Sequence, residues 1–153
     1  RKFKLKNTSK ILDIGCGKAF LLYEIKKILP DIQISGFDIS KYAIKKAPKN
    51  LRKKLFIHKA QQKYPYSKKK FDLAISLGCF HNLEINELKI AINEIQRVSK
   101  KSYLMVESYR NEKELFNLQC WALTAESFFS DEEWEYVFKL ANYKGFYEFI
   151  YFK

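Results

Sequence analysis

The order of elements in this chain predicts an α/β fold: an open, mostly parallel sheet with helices on both faces and an antiparallel C-terminal strand. Three observations carry the prediction. Short apolar runs alternate with stretches in which apolar residues recur at helical spacing. Phe71–Leu77 is apolar almost throughout, as befits a strand buried on both faces. Ile11-Leu-Asp-Ile-Gly-Cys-Gly17 reads as a buried strand that ends in a glycine-pinched turn just before a helix. Such sheets receive nucleotide-like ligands at a turn of this kind.

Taken in order, Lys10–Ile14 is the first strand. A helix over residues 18–29 follows, with Leu21, Leu22, Ile25, Ile28 and Leu29 on its apolar face, and Pro30 stops it. Residues 33–37 form the second strand, which closes on Asp38. Ser40 caps a short helix that ends at Ala47, before Pro48. Residues 54–58 are the third strand, and 61–70, with Pro65 and a lysine run, read as a solvated connection. After the apolar fourth strand, a helix over 86–98 carries Leu88, Ala91, Ile92, Ile95 and Val98 at helical spacing. Residues 102–108 make the fifth strand. Ser130-Asp-Glu-Glu133 matches a capping box and opens a helix with Trp134, Val137, Phe138 and Ala141 inward. Gly145 allows the turn into a final strand over 146–152; a turn this short predicts that the strand is antiparallel to its neighbour.

With 153 residues, the chain is long enough for one domain, 1–153, with a sound core. No apolar run approaches the length of a membrane span, and no signal peptide is visible. Cys16, Cys79 and Cys120 are odd in number, far apart and form no C-x-x-C pair. A disulfide framework and a zinc site are therefore not predicted, and a reducing, cytoplasmic setting fits. The net charge of +12 raises the question of nucleic acid. The excess is almost all lysine, with Arg1, Arg52, Arg97 and Arg110 as the few planar forks, and it accompanies the Ile, Asn, Tyr and Phe richness of an AT-rich coding bias. Nucleic acid thus stays a secondary class of partner.

The turn itself narrows the ligand. Dinucleotide sites use G-x-G-x-x-G, whereas here Phe20 stands where the third glycine would be. Asp13, two residues before Gly15, would also oppose a pyrophosphate. It suits a cationic, phosphate-free ligand such as S-adenosylmethionine, whose ammonium a carboxylate at the end of the first strand can hold. Gly15 and Gly17 would let the backbone approach the methionine portion, and Asp38 could accept both ribose hydroxyls.

At these residues the chain resembles the class I S-adenosylmethionine-dependent methyltransferases, over nearly its whole length. Residues 11–17 look like the family's first motif, Gly36-Phe-Asp-Ile-Ser40 like its second, Phe71-Asp-Leu-Ala-Ile-Ser76 like its fourth, and 103–108 like its fifth strand. The resemblance implies a Rossmann-like sheet, S-adenosyl-L-methionine as cofactor and S-adenosyl-L-homocysteine as product. It implies cofactor contacts from Asp13, Gly15, Cys16, Gly17, Asp38, Ile39, Ala60, Gln61 and Leu77. More narrowly, Cys79-Phe-His-Asn-Leu83, Val106-Glu-Ser-Tyr-Arg-Asn111 and the aromatic C-terminal third are similar to small bacterial methyltransferases associated with surface-sugar biosynthesis.

Two departures stand out. The family commonly has Gly-Asp/Asn-Ala after the third strand, where the polar residue binds the adenine amino group. This chain has His58-Lys59-Ala60, and lysine cannot accept that bond; the Lys59 and Ala60 backbone or the Gln61 side chain would have to serve. The chain also opens close to its first strand, so the helices that usually cover the cofactor in relatives are expected to be missing from this piece.

For the acceptor, His81 just beyond the fourth strand is the candidate general base, with Glu107 and Tyr109 lining the same cleft. Trp121, Phe128 and Phe129 read either as an acceptor pocket or as core. The Asn-Pro-Pro-Tyr-like signature of methylation on nucleic-acid base amines is absent after the fourth strand, where the chain reads Ser76-Leu-Gly-Cys-Phe80. A small-molecule or saccharide acceptor is expected, methylated at oxygen or nitrogen. RNA methylation and a non-catalytic cofactor-binding or partner-binding domain remain as alternatives.

Overall fold

A computed structural model describes residues 2–153. It contains β1 (Lys10–Ile14), α1 (Phe20–Ile28), β2 (Gln33–Asp38), α2 (Lys41–Lys46), β3 (Leu55–Ile57) and β4 (Phe71–Leu77). There follow α3 (Ile85–Val98), β5 (Ser99–Glu107), α4 (Glu112–Trp121), α5 (Asp131–Leu140) and β6 (Phe146–Ile150). The strands form one sheet in the order β3-β2-β1-β4-β5-β6. Among the described residues no helix is long and apolar enough to cross a membrane.

Side chains alternate across a strand, so the sheet feeds two cores. Leu12 and Ile14 of β1 join Ala74, Leu104, Leu88 and Ile92 of α3 and Trp134 of α5 on one face. Ile11 joins Leu73, Ile75 and Leu22 of α1 on the other. Gly36 permits the close approach of α1 to β2, because a Cβ there would lie 3.0 Å from Leu22 Cδ1 and 3.1 Å from Cys16 Cβ. That close packing is what a third glycine secures in G-x-G-x-x-G turns; here it is supplied from the neighbouring strand.

Every neighbouring strand pair is parallel, β5 with β6 included, which corrects the expected antiparallel C-terminal strand. The short turn before β6 did not determine its direction. The whole connection from β5 did: it carries α4 and α5 across the sheet and returns the chain to the edge from which β5 began. Helix α4 was not foreseen, since Leu118 is its one fully buried apolar side chain and no stripe of helical period marks it. Its start is nevertheless well made, with the Asn111 side chain accepting the Glu114 N–H at 3.0 Å.

The connection 61–70 is also more than a solvated link. Tyr64 is fully buried, and the Arg97 guanidinium of α3 donates to the carbonyls of Tyr66 at 2.7 Å and Tyr64 at 3.0 Å. Helix α1 begins at Phe20, later than expected, because Ala19 takes a left-handed conformation (φ 58°) that prolongs the glycine turn.

Candidate active site

Between β1 and β4 the winding of the sheet reverses, so the loops leaving their carboxyl ends part and open a cleft. The cleft, about 420 Å³ in volume, is lined by Gly15, Asp38, Ile39, Ala60, Gln61 and Gly78 together with residues of the β4–α3 connection. Gly15 has φ 72° and donates its N–H to the Phe37 carbonyl at 2.9 Å. A Cβ at Gly15 would fall 2.5 Å from Cys79 Sγ, so the turn requires glycine both for its backbone and for its space.

Gly17 N–H donates to Asp38 Oδ2 at 2.8 Å, and Ser40 N–H donates to Oδ1 at 2.8 Å. The two bonds fix the carboxylate at the cleft and leave each oxygen a lone pair for a ligand hydroxyl. Beyond β3, the Tyr64 hydroxyl donates to the Ala60 carbonyl at 2.9 Å and pins the corner that presents Ala60 and Gln61. Gln61 Nε2 donates to Glu87 Oε1 at 3.0 Å. A carboxylate only accepts, so the amide must turn its nitrogen to Glu87, which leaves its carbonyl oxygen unclaimed by that contact.

Five of the expected cofactor residues therefore line one cleft: Gly15, Asp38, Ile39, Ala60 and Gln61. Asp13, Cys16, Gly17 and Leu77 stand around it without lining it. Asp13 is 4% exposed, and burial, with the nearby Asp38 charge adding, pushes its pKa up to about 7. Cys16 is buried, and burial raises its thiol; that of Cys79 is pushed up to about 12, so neither is a thiolate nucleophile at neutral pH. Gly17 serves by the N–H it gives to Asp38, and half-buried Leu77 closes β4.

His81 lies in a single 3-10 turn, Phe80–Asn82, behind the cleft wall. Its side chain is buried, and Nδ1 contacts Glu107 Oε2 at the end of β5. The two atoms touch without a well-directed hydrogen bond, and neither Glu107 oxygen has a directed donor. Glu107 is 1% exposed, yet a Cβ placed on the cleft-lining Gly78 would sit 3.0 Å from its Oε1. Gly78 (φ 61°) thus packs directly against the carboxylate. Tyr109 pairs with Ser130 in a backbone bridge, away from the lining. Trp121 is 55% exposed and lies beside His81, with ring centroids 6.2 Å apart; Phe129 packs against the core.

Several lining residues were not singled out from the sequence. Gly78 had a signal, a glycine directly after a nearly continuous apolar strand. His58, read as an ordinary strand end, also lines the cleft, edge-on to Phe37. Thr124 had no signal at all: it reaches the rim through a contact distant in sequence, its Oγ1 donating to Asn82 Oδ1 at 2.7 Å.

A family model described as a methyltransferase domain matches residues 5–145. The chain belongs to that family. This methyltransferase domain is of the class I kind, and S-adenosylmethionine is its cofactor. It is 37% identical over 106 residues to the ribosomal RNA small subunit methyltransferase C of Buchnera aphidicola, a match covering 67% of this chain and 30% of that protein. The chain thus spans less than a third of that relative's length. Among solved structures, the YcgJ protein of Bacillus subtilis superposes with a TM-score of 0.73 at 18% identity, over 92% of this chain and 64% of that one. A SAM-dependent methyltransferase from Archaeoglobus fulgidus does so with a TM-score of 0.69 at 20% identity, over 89% and 61%. At such identities the superpositions speak for the fold.

Proposed function

We propose that this domain holds S-adenosylmethionine in the cleft between β1 and β4 and transfers its methyl group to an oxygen or nitrogen of a small-molecule or saccharide acceptor. The observation that carries the reading is the Asp38 carboxylate, fixed by two backbone N–H groups at the lip of that cleft. The remaining lone pairs of Asp38 suit the paired hydroxyls of a ribose. Exposed Ile39 offers an apolar lip for the nucleobase, and the Gln61 carbonyl oxygen takes the place of the family's usual acceptor for its amino group. Gly15 and Gly17 let the chain approach the amino-acid portion, Cys16 and Leu77 support the lining from behind, and Asp13 answers its ammonium.

When bound, the cofactor supplies a methyl group already activated on a sulfonium. The chain's task is to align the acceptor and keep water out. His81 takes the acceptor proton. With Nδ1 committed to Glu107, that work falls to Nε2, and Glu107 acts as a positioning residue for the ring. Trp121 beside His81 is backed by Phe152, with ring centroids 4.5 Å apart, and its exposed remainder offers a surface on which a ring-shaped acceptor can rest. The unpaired cysteines, one of them exposed, suit a reducing, cytoplasmic setting.

Calorimetry with S-adenosylhomocysteine and with NAD tests the donor half: the first is expected to bind and the second not, and the reverse result overturns the reading. Methyl transfer from labelled cofactor to a panel of sugars, phenols and amines, with ribosomal RNA alongside, tests the acceptor half. A second reading, RNA methylation, has one specific support, the identity shared with a relative named for ribosomal RNA. Against it stands Ser76-Leu-Gly-Cys-Phe80, which lacks the Asn-Pro-Pro-Tyr-like step. Label in RNA and none in the small acceptors would decide for it.

A further inference from the structure

At the opposite edge of the sheet, where the strands begin, two shallow clefts share Lys100 and Lys101. One is also lined by Phe3, Lys4 and Lys6, the other by Lys69, Lys144 and Phe146. Lysines are expected at this edge for an ordinary reason. Helices that alternate with parallel strands bring their carboxyl ends here, and cations complement those ends. Some of the lysines are used in that way. Lys69 Nζ donates to the carbonyls of Gln96 at 2.9 Å and Ser99 at 2.7 Å, and Lys100 pairs with Asp72 at 2.8 Å. Lys4, Lys6, Lys101 and Lys144 are left over: all are exposed, and among the described residues none has an acidic partner within ion-pair distance.

Aromatic rings lie between these cations. Phe146 is 43% exposed, with Lys2 Nζ 4.6 Å from its ring centre, and Phe3 packs edge-on against it at 5.4 Å. Unspent lysines along two furrows, with an exposed ring between them, match what a single-stranded polyanion with stacking bases needs. A bilayer would call instead for an amphipathic helix with a broad apolar face, and these furrows are lined by strand ends and the N-terminal segment. We propose that the amino edge of the sheet is an RNA-binding surface, which holds single-stranded RNA by its phosphates at Lys4, Lys6, Lys101 and Lys144 and by a base on Phe146. It lies at the far end of the strands from the cofactor cleft, so it tethers rather than presents a methyl acceptor. It rests on neither choice of acceptor.

The test is anisotropy of a labelled, unstructured 20-nucleotide RNA with the full chain across a salt series, with S-adenosylhomocysteine affinity measured on the same samples. Four phosphate contacts predict a slope of about −3 in log K against log salt. The triple variant Lys4→Gln/Lys101→Gln/Lys144→Gln is expected to weaken RNA binding at least tenfold (about 1.4 kcal/mol or more) and to flatten the slope by about 2. It should leave S-adenosylhomocysteine affinity unchanged. Lys45→Gln/Lys46→Gln/Lys49→Gln removes the same charge elsewhere and should change RNA binding little. Equal losses from the two triples, no RNA binding by the parent chain, or binding to phosphatidylserine vesicles in place of RNA would each overturn the proposal. Failure of cofactor binding alone would count against the cleft and not against this surface.

Discussion

Two buried carboxylates flank the cleft, and they are kept in opposite company. Asp13, on the proposed donor side, is pressed by burial and by a second carboxylate, Asp38, so its charged form is disfavoured. Glu107, on the acceptor side, already faces an imidazole and needs no ligand to meet a partner. On the proposed reading, the donor side stores a cost that a cationic ligand would relieve, whereas the acceptor side is already self-paired. If that contrast is right, substitutions on the two sides separate cleanly into binding and turnover.

The largest expected effect is on turnover. His81→Ala should lower kcat by about 10²- to 10⁴-fold, the usual worth of a positioned general base, with S-adenosylhomocysteine affinity unchanged. The backbone role of His81, whose carbonyl accepts the N–H groups of Glu126 and Ser127, survives the change. Thermal melting of the variant checks that the fold is intact. A parallel loss of cofactor affinity would show that the two sides are one unit. Next comes Asp38→Ala, which removes an acceptor held by two N–H groups and should weaken cofactor affinity by about 10- to 100-fold, with kcat at saturation largely kept. Titration calorimetry reads the first quantity and initial rates the second.

Asp13→Asn sharpens the donor side through pH. In the folded chain the carboxyl holds its proton up to about pH 7, while the unfolded chain loses it near 3.8. Between those values the native state binds the extra proton, so stability falls as pH rises through the window and levels off above it. The asparagine variant is expected to escape that fall: it should be more stable than the parent at pH 8 by a few kcal/mol, and no more stable near pH 4. Urea denaturation at the two pH values measures the difference. The parent's cofactor affinity should rise from pH 6 to 8 as the carboxylate forms, and the variant's should stay flat.

The glycine turn and the lip proposed to hold the donor were legible in the sequence because their residues are local. A strand, two glycines, Asp13 and, one strand later, Asp38 lie at short fixed spacings, and the register of β1 against β2 then forces them together. The acceptor side depends on contacts between distant segments. Thr124 meets Asn82, and the carbonyl of His81 holds Glu126 and Ser127, only because α4 and the segment after it fold back over the end of β4. No periodicity in residues 112–121 announces that helix, and the direction of β6 followed from it. Gln61 lies between the two cases: its place after β3 was readable, but the Glu87 contact that sets its amide was not.

Glu107→Gln is the smallest expected effect and the finest test of the comparison. Glutamine keeps the size of the side chain and an oxygen that can face Nδ1, so the contact with the ring is kept while the carboxylate is removed. We expect kcat to fall about tenfold with the affinity of either substrate unchanged, less than the roughly 10²- to 10⁴-fold expected for loss of the base itself. A buried glutamine could also slow turnover merely by loosening the fold, so the decisive measurement is the double variant. If Glu107 acts through His81, then with His81→Ala in place the further change Glu107→Gln should cost nothing more, an interaction energy of about the size of its single effect. Additive losses would mean that Glu107 acts independently of His81 and that the acceptor side is not self-paired.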